Sequence, residues 1–428
     1  MKSLTPYLPH LKNLVGIVAF ISLSPVTSHA ATEKENSGKK PLKVFIMAGQ
    51  SNMQGRARIT TLPHMRLDPK TAPMAAKIAD TEDNPTPIKD VWIASLGVKK
   101  NQEEKKGQLI AGYGYDGGGG TKIGPEMGFA ITMQEHLNEP ILIIKTTWGG
   151  KSLFENFRPP SAGPWDFGPG AAEKSSDPKK TREERRKNSG EYYHKMTEYI
   201  RNVLGDIKST YPDYNPEQGY EIAGFVWFQG VHDYGDSATY PNQGTPSSYD
   251  EYSRLLSCLI RDLRKDLQSP KMPFVIGVLG ISGDLRHMEE KLVPWTKEFR
   301  KSMAAPASLP EFKDNVAAVL TEKYWEYDLE EYQLRWSKIK AKENELKQQQ
   351  IAHLENKPST RRLKLEPEYQ AKLEAFKRTV YTEEELNLFL TGTSNAAYHY
   401  LGSYKIYSRI GKAFAEALVE LSEVRGAE

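Results

Sequence analysis

The chain has 428 residues and carries 58 Lys and Arg against 55 Asp and Glu, a formal charge of +3 at pH 7. That near balance excludes a nucleic acid or an anionic membrane surface as the main partner, since either needs a clustered basic excess. The length suits one large domain with insertions or two domains, and a lone cysteine, Cys258, allows no internal disulfide, so stability must come from a packed core.

Taken in chain order, residues 1–30 read as a secretory signal peptide. Lys2 and Lys12 give a basic start, Leu14 to Leu23 is a short apolar run, and Ser28-His-Ala30 places small residues before a cut after Ala30. The product would be secreted or periplasmic, with no membrane span in the mature protein, because no other apolar run is long enough to cross a bilayer. Residues 31–41 are polar and read as a disordered leader.

Lys43-Val-Phe-Ile-Met-Ala-Gly-Gln-Ser-Asn-Met-Gln-Gly55 follows. Its continuous apolar run reads as a strand buried on both faces, broken sharply at Gly49. Further strands are expected at Asp90–Leu96, Pro140–Thr146, Ile222–Phe228, Met272–Ile281 and Asn315–Thr321, alternating with helices at Gly124–His136, Tyr192–Tyr211 and Tyr249–Leu267. Helices alternating with apolar strands predict an α/β fold on a parallel sheet. Cys258, in the last of these helices, reads as a buried small hydrophobe. Gly112 to Gly124 reads as a surface loop; it lacks the pattern of a phosphate cradle. The charge run Lys179–Lys187 reads as a solvated face.

Between about Tyr327 and Lys377 the composition shifts to Glu, Lys, Gln and Leu. We read residues 327–380 as an inserted helical hairpin, broken near Pro358, that is a solvated excursion from the sheet domain or, alternatively, a lid or a partner surface. The domain itself would comprise residues 42–326 and 381–428. Leu401–Val424 predicts a closing helix with one apolar stripe.

In open α/β sheets, sites lie beyond the carboxyl ends of the strands. Ser51 stands two residues past the break of the first strand, where a nucleophile would be mounted; alternatively Ser51 and Asn52 only cap the turn. A serine needs a base, and His399, in a short segment before the closing helix, is a candidate. The glycine pair Gly149-Gly150 follows the third strand and lets a backbone N–H approach an oxyanion closely. Val226-Trp-Phe-Gln-Gly-Val-His-Asp233 ends the fourth strand. The histidines are scattered and no metal-ligand spacing appears, so no metal or cofactor is expected.

Three of these stretches resemble the SGNH hydrolases, most of all their carbohydrate-esterase branch of sialate O-acetylesterase and acetylxylan esterase relatives. Ile46 to Gly55 resembles the first block, Thr146-Thr-Trp-Gly-Gly-Lys-Ser-Leu153 the second, and Val226 to Asp233 the WxQGExD signature of the third. The resemblance implies a three-layer, flavodoxin-like parallel sheet and a secreted serine esterase acting on O-acetylated carbohydrate. It also implies Ser51 as nucleophile, His399 as base, and Ser51, Gly149 or Gly150, and Gln229 as oxyanion donors. The chain departs from the family twice: Val231 replaces the glutamate of the third block, and Ala396, beside Asn395, stands where an acid often precedes the histidine. Asp233 is then the best surviving carboxylate for a triad, the alternative being a Ser51–His399 dyad. His232 is expected on the pocket wall. Aromatics such as Trp148, Phe154, Phe157, Trp165, Tyr234, Tyr398 and Tyr400 would stack on sugar rings or fill the core. With its acids altered, the chain could instead be a weak relative that only binds glycans, or an esterase for other short-chain acyl esters.

Overall fold

Strand β1 (Leu42–Gly49) is buried along nearly its whole length, so both of its faces must be covered. The computed structural model describes residues 40–98, 103–117, 121–165, 182–352, 359–360 and 363–426; the expected signal peptide and most of the leader lie outside them. Beside β1 stand β2 (Val91–Leu96), β3 (Lys105–Gln108), β4 (Ile141–Thr147), β5 (Tyr220–Phe228), β6 (Phe274–Val278) and β7 (Val316–Leu320). Their order across the sheet is β3-β2-β4-β1-β5-β6-β7, and every pairing is parallel except β2 with β3. With β2 and β3 set aside as an added edge, the remaining strands run second, first, third, fourth, fifth. That is the flavodoxin order, and its switch point is β1.

Helices cover both faces. Helix α2 (Glu126–Leu137) and the closing helix α9 (Tyr404–Gly426) pack so closely that a side chain on Gly128 would lie 2.0 Å from Ser408 O, and one on Gly411 would lie 1.9 Å from Pro125 O. Phe414 of α9 reaches β6 at Gly277, and Phe129 of α2 meets Phe45 edge-on. Helix α3 (Glu191–Gly205) contacts β4, while α4 (Asp250–Asp266), holding buried Cys258, packs on α5 (Val293–Ala304), which contacts β6.

Four expectations change in detail. The stretch 112–124 is not all irregular: Lys122–Ile123 pairs antiparallel with Ala57–Arg58. The helix expected to reach Tyr211 ends at Gly205, where Asp206 leaves helical geometry. The strand expected over Met272–Ile281 is only five residues long, Phe274–Val278. Within the charge run, Arg185 is buried and bonds both carboxylate oxygens of Glu155 while lying over Trp165.

The helical hairpin consists of α6 (Tyr327–Ala352) and α7 (Pro367–Val380), followed by α8 (Glu383–Gly392). It comes after the last strand, not between strands. It builds a small core of its own from Ile339, Leu346, Leu373 and Tyr381. Arg335 ties it to α8 through Glu385, and Thr382 with Glu385 forms a reciprocal capping box at the start of α8. It is more than a solvated excursion, because Gln333 Nε2 donates 2.7 Å to the carbonyl of Asn395.

Candidate active site

Three neighbouring strands end at one place. Gly49 closes β1 with φ +152°, and any side chain there would sit 2.1 Å from the carbonyl oxygen of Phe228 on β5. Only glycine fits so close an approach. The Trp148 N–H donates to Gly49 O at 3.1 Å, and the Gln50 N–H donates to Phe228 O at 3.3 Å. These bonds turn the chain into helix α1 (Ser51–Gln54), whose first residue is the serine.

Past these strand ends lies an open cleft of about 480 Å³, whose lining includes Gln50, Ser51, Arg56, Gly149, His232 and His399. The structure therefore brings Ser51, Gly149, Gly150 and His399 together. A side chain on Gly149 would pass 3.9 Å from Ser51 Cβ, which sets that glycine against the serine. The N–H groups of Ser51, Gly149 and Gly150 have no acceptor among the described residues. Ser51 Oγ and the imidazole share the cleft without a direct hydrogen bond.

His399 Nδ1 lies 3.0 Å from Asn395 Oδ1. The same Oδ1 also accepts the Ala396 N–H at 2.9 Å. A backbone N–H can only donate, so the atom it meets is the oxygen and the amide orientation is fixed. Nδ1 must then carry the proton, and Nε2 keeps its lone pair free. Burial holds the imidazole well below its ordinary 6.5, at about 4, with the nearby Arg56 guanidinium adding to the effect. The ring is thus neutral and able to accept a proton at ordinary pH.

The loop carrying His399 is strained. Tyr400 and Leu401 have φ of +48° and +60°, rare for bulky residues. Tyr400 is driven into the core, where its hydroxyl accepts the Gly280 N–H at 2.8 Å and meets Thr321 Oγ1 at 2.6 Å. Asn52 joins the two halves of the site: its Nδ2 donates to Tyr398 O and its Oδ1 accepts from Tyr407.

Asp233 and Gln229 stand elsewhere. Asp233 is fully buried and accepts from the backbone N–H groups of Leu153 and Phe154, from Gln229 Nε2 and from the Tyr240 hydroxyl. Burial pushes its carboxyl upward against those donors. The structure does not bring it to His399. Gln229 is equally buried: its Nε2 faces Asp233 Oδ2, Lys151 O and Gln50 Oε1, and its Oε1 accepts from Tyr252. The pair braces the strand ends from beneath. His232 lies on the cleft wall, as expected. Of the aromatics, Tyr398 is 54 % exposed in the cleft, whereas Trp148, Phe154, Phe157, Trp165 and Tyr400 are core.

Sequence reasoning missed Asn395, Arg56 and Tyr115 as site residues. Arg56 lies over the Tyr115 ring at 3.8 Å and donates to Gln54 Oε1. Asn395 sits four residues before His399, and that spacing was its only signal. Among the described residues no cluster of His, Cys, Asp and Glu is arranged to hold a metal, and no helix is long and apolar enough to cross a membrane.

A family model described as SASA, carbohydrate esterase, sialic acid-specific acetylesterase, matches residues 41–323. A search of curated proteins returns no match. Among solved structures, a protein from Arabidopsis thaliana is similar at 17% identity and a TM-score of 0.36, over 66% of this chain and 86% of that one. A carbohydrate acetylesterase from Xanthomonas citri is similar at 15% identity and a TM-score of 0.35, over 65% of this chain and 49% of that one.

Proposed function

This chain belongs to the carbohydrate esterase family of sialic acid-specific acetylesterases, and from that premise we propose that it is an exported serine esterase removing O-acetyl groups from carbohydrate. Ser51 Oγ attacks the acetyl carbonyl carbon while His399 Nε2 takes the hydroxyl proton. The carbonyl π pair moves onto oxygen, and the N–H groups of Ser51 and of Gly149 or Gly150 hold that charge. As the intermediate collapses, the bond to the sugar oxygen breaks and His399 returns the proton to it. Water, deprotonated by the same imidazole, then attacks the acetyl carbon; the bond to Ser51 Oγ breaks, His399 returns the proton to that oxygen, and acetate leaves. Acid–base help of this kind contributes about 10²- to 10⁴-fold.

One observation carries the reading: Ser51 and His399 line one cleft, with Asn395 Oδ1 fixing the proton on Nδ1. Asn395 takes the orienting part of a triad acid without its charge. Asp233 and Gln229 shape the strand ends, outside the proton path. The basic start, apolar run and small residues up to Ala30 support export. Exposed Tyr398 offers a ring for a sugar to stack on.

Replacing Ser51 with alanine is expected to abolish acetate release from p-nitrophenyl acetate and from acetylated oligosaccharides, with the circular dichroism spectrum unchanged. Turnover that survives the substitution excludes the mechanism. A wild-type protein that binds acetylated polysaccharide yet releases no acetate is a glycan-binding protein instead.

A further inference from the structure

We propose that the side-chain amide of Gln50, not that of Gln229, is the third oxyanion donor of this site; the proposal rests on the esterase reading above. Gln229 Nε2 has two hydrogens and already faces three acceptors, at 2.5, 2.9 and 3.1 Å. It is fully buried and does not line the cleft. Turning it toward substrate would strand the carboxylate of Asp233, an expensive exchange in a dry interior.

Gln50 has the reverse arrangement. It immediately precedes the nucleophile, is only 2 % exposed, and still lines the cleft. Its Oε1 accepts from the backbone N–H groups of Gly230 at 3.1 Å and His232 at 3.4 Å, and from Gln229 Nε2 at 3.1 Å. Backbone N–H groups can only donate, so the oxygen is identified and the nitrogen is the other branch. That Nε2 has no acceptor among the described residues, and it is not one of the fully enclosed polar atoms. A nearly buried amide, locked through its oxygen and lacking an acceptor, gains a partner when negative charge develops beside Ser51. Donors of this sort are effective because they need no reorganisation at the moment of reaction. Asp233 and Gln229 then act as positioning residues: the carboxylate holds Gln229, and Gln229 helps hold Gln50 Oε1.

The test is Gln50→Glu in the full chain. The substitution keeps an oxygen toward Gly230 and His232 and removes the donor. With p-nitrophenyl acetate, kcat at neutral pH is expected to fall about 10²- to 10³-fold with little change in KM. It should recover toward wild type as the pH is lowered and the new carboxyl gains an O–H. A variant whose kcat stays within about threefold of wild type at every pH overturns the proposal, since a single lost donor is worth far more than that. Should the variant not fold, wild-type protein treated with p-nitrophenyl methylphosphonate gives the answer. Ser51 Oγ bonds to phosphorus, p-nitrophenolate leaves, and the serine proton passes to His399. A crystal structure of that adduct should show Gln50 Nε2 within about 3.2 Å of the phosphonyl oxygen; Gln50 turned away from it overturns the proposal. A wild-type protein that releases no acetate from any ester defeats the esterase reading itself, and the Gln50 assignment with it.

Discussion

Ser51 stands on a corner made by main chain, whereas His399 hangs from side chains. On the serine side, strands β4, β1 and β5 end together, Gly49 lies against Phe228 O, and backbone bonds cross from one strand end to the next. Beneath them Lys145, with no exposed surface, donates to Gln54 O and Tyr113 O at 3.0 Å each and to Glu126 Oε2 at 2.7 Å. On the histidine side, the loop holds two residues at positive φ, anchored by the Tyr400 hydroxyl, Asn52 and Gln333. The contrast is one of cooperativity. A corner built from a parallel sheet fails only if the sheet fails, while a loop held by separate side-chain bonds can be loosened one bond at a time. Damage on the serine side should appear as lost stability, and damage on the histidine side as altered catalysis in a folded protein.

Lys145→Met gives the largest expected effect. It leaves the Glu126 carboxylate in the core with the Gly124 N–H as its one hydrogen-bond donor among the described residues. Removing one partner of a buried pair costs about 3–5 kcal/mol, so urea titration should show a much lower midpoint. A midpoint equal to wild type would break the comparison at its firmer end. Asn395→Ala should leave the midpoint nearly in place and lower kcat/KM roughly 5- to 150-fold, as expected for about 1–3 kcal/mol of lost orientation. Asn395→Asp sharpens the point: a negative charge at Nδ1 raises the imidazole, and the acid limb of kcat/KM moves to higher pH.

In wild type that limb should lie near pH 4 rather than 6.5, because the base works when neutral and is lost as pH falls through its lowered value. Arg56→Gln removes a cation that favours the neutral ring, so the same limb should move upward, by less than in Asn395→Asp. A pH profile identical to wild type would remove Arg56 from the account. Gln333→Ala gives the smallest effect, a fall in kcat of about threefold for one neutral hydrogen bond one step removed from the base. It also tests whether the hairpin bears on catalysis: a hairpin with no hold on the Asn395 loop leaves kcat untouched.

Six of the seven strands were legible because each is a short apolar run, as burial within a sheet demands, whereas the polar edge strand Lys105–Gln108 gave no such signal. The nucleophile corner was legible for the same reason, since Gly49, Ser51, Gly149 and Gln229 are tied to strand ends by sequence position alone. His399 was picked out by the family resemblance, which expects a histidine just before the closing helix. Which donor faces the cleft could not. Gln50 and Gln229 are chemically the same side chain, both at strand ends, and only the contacts of their nitrogens tell them apart. Asp233 was the natural acid on sequence, yet its oxygens go to Leu153, Phe154, Gln229 and Tyr240.

By itself the sequence determined the α/β class and the strand carrying Ser51, because periodicity and glycine breaks are local properties of the chain; His399 was singled out by the family resemblance. Only the tertiary structure decided that Asn395 holds the imidazole, that Arg56 shares its cleft and that the hairpin reaches the loop behind it. Hydrogen-bond direction and desolvation depend on atoms brought together from distant segments, and no spacing along the chain encodes them.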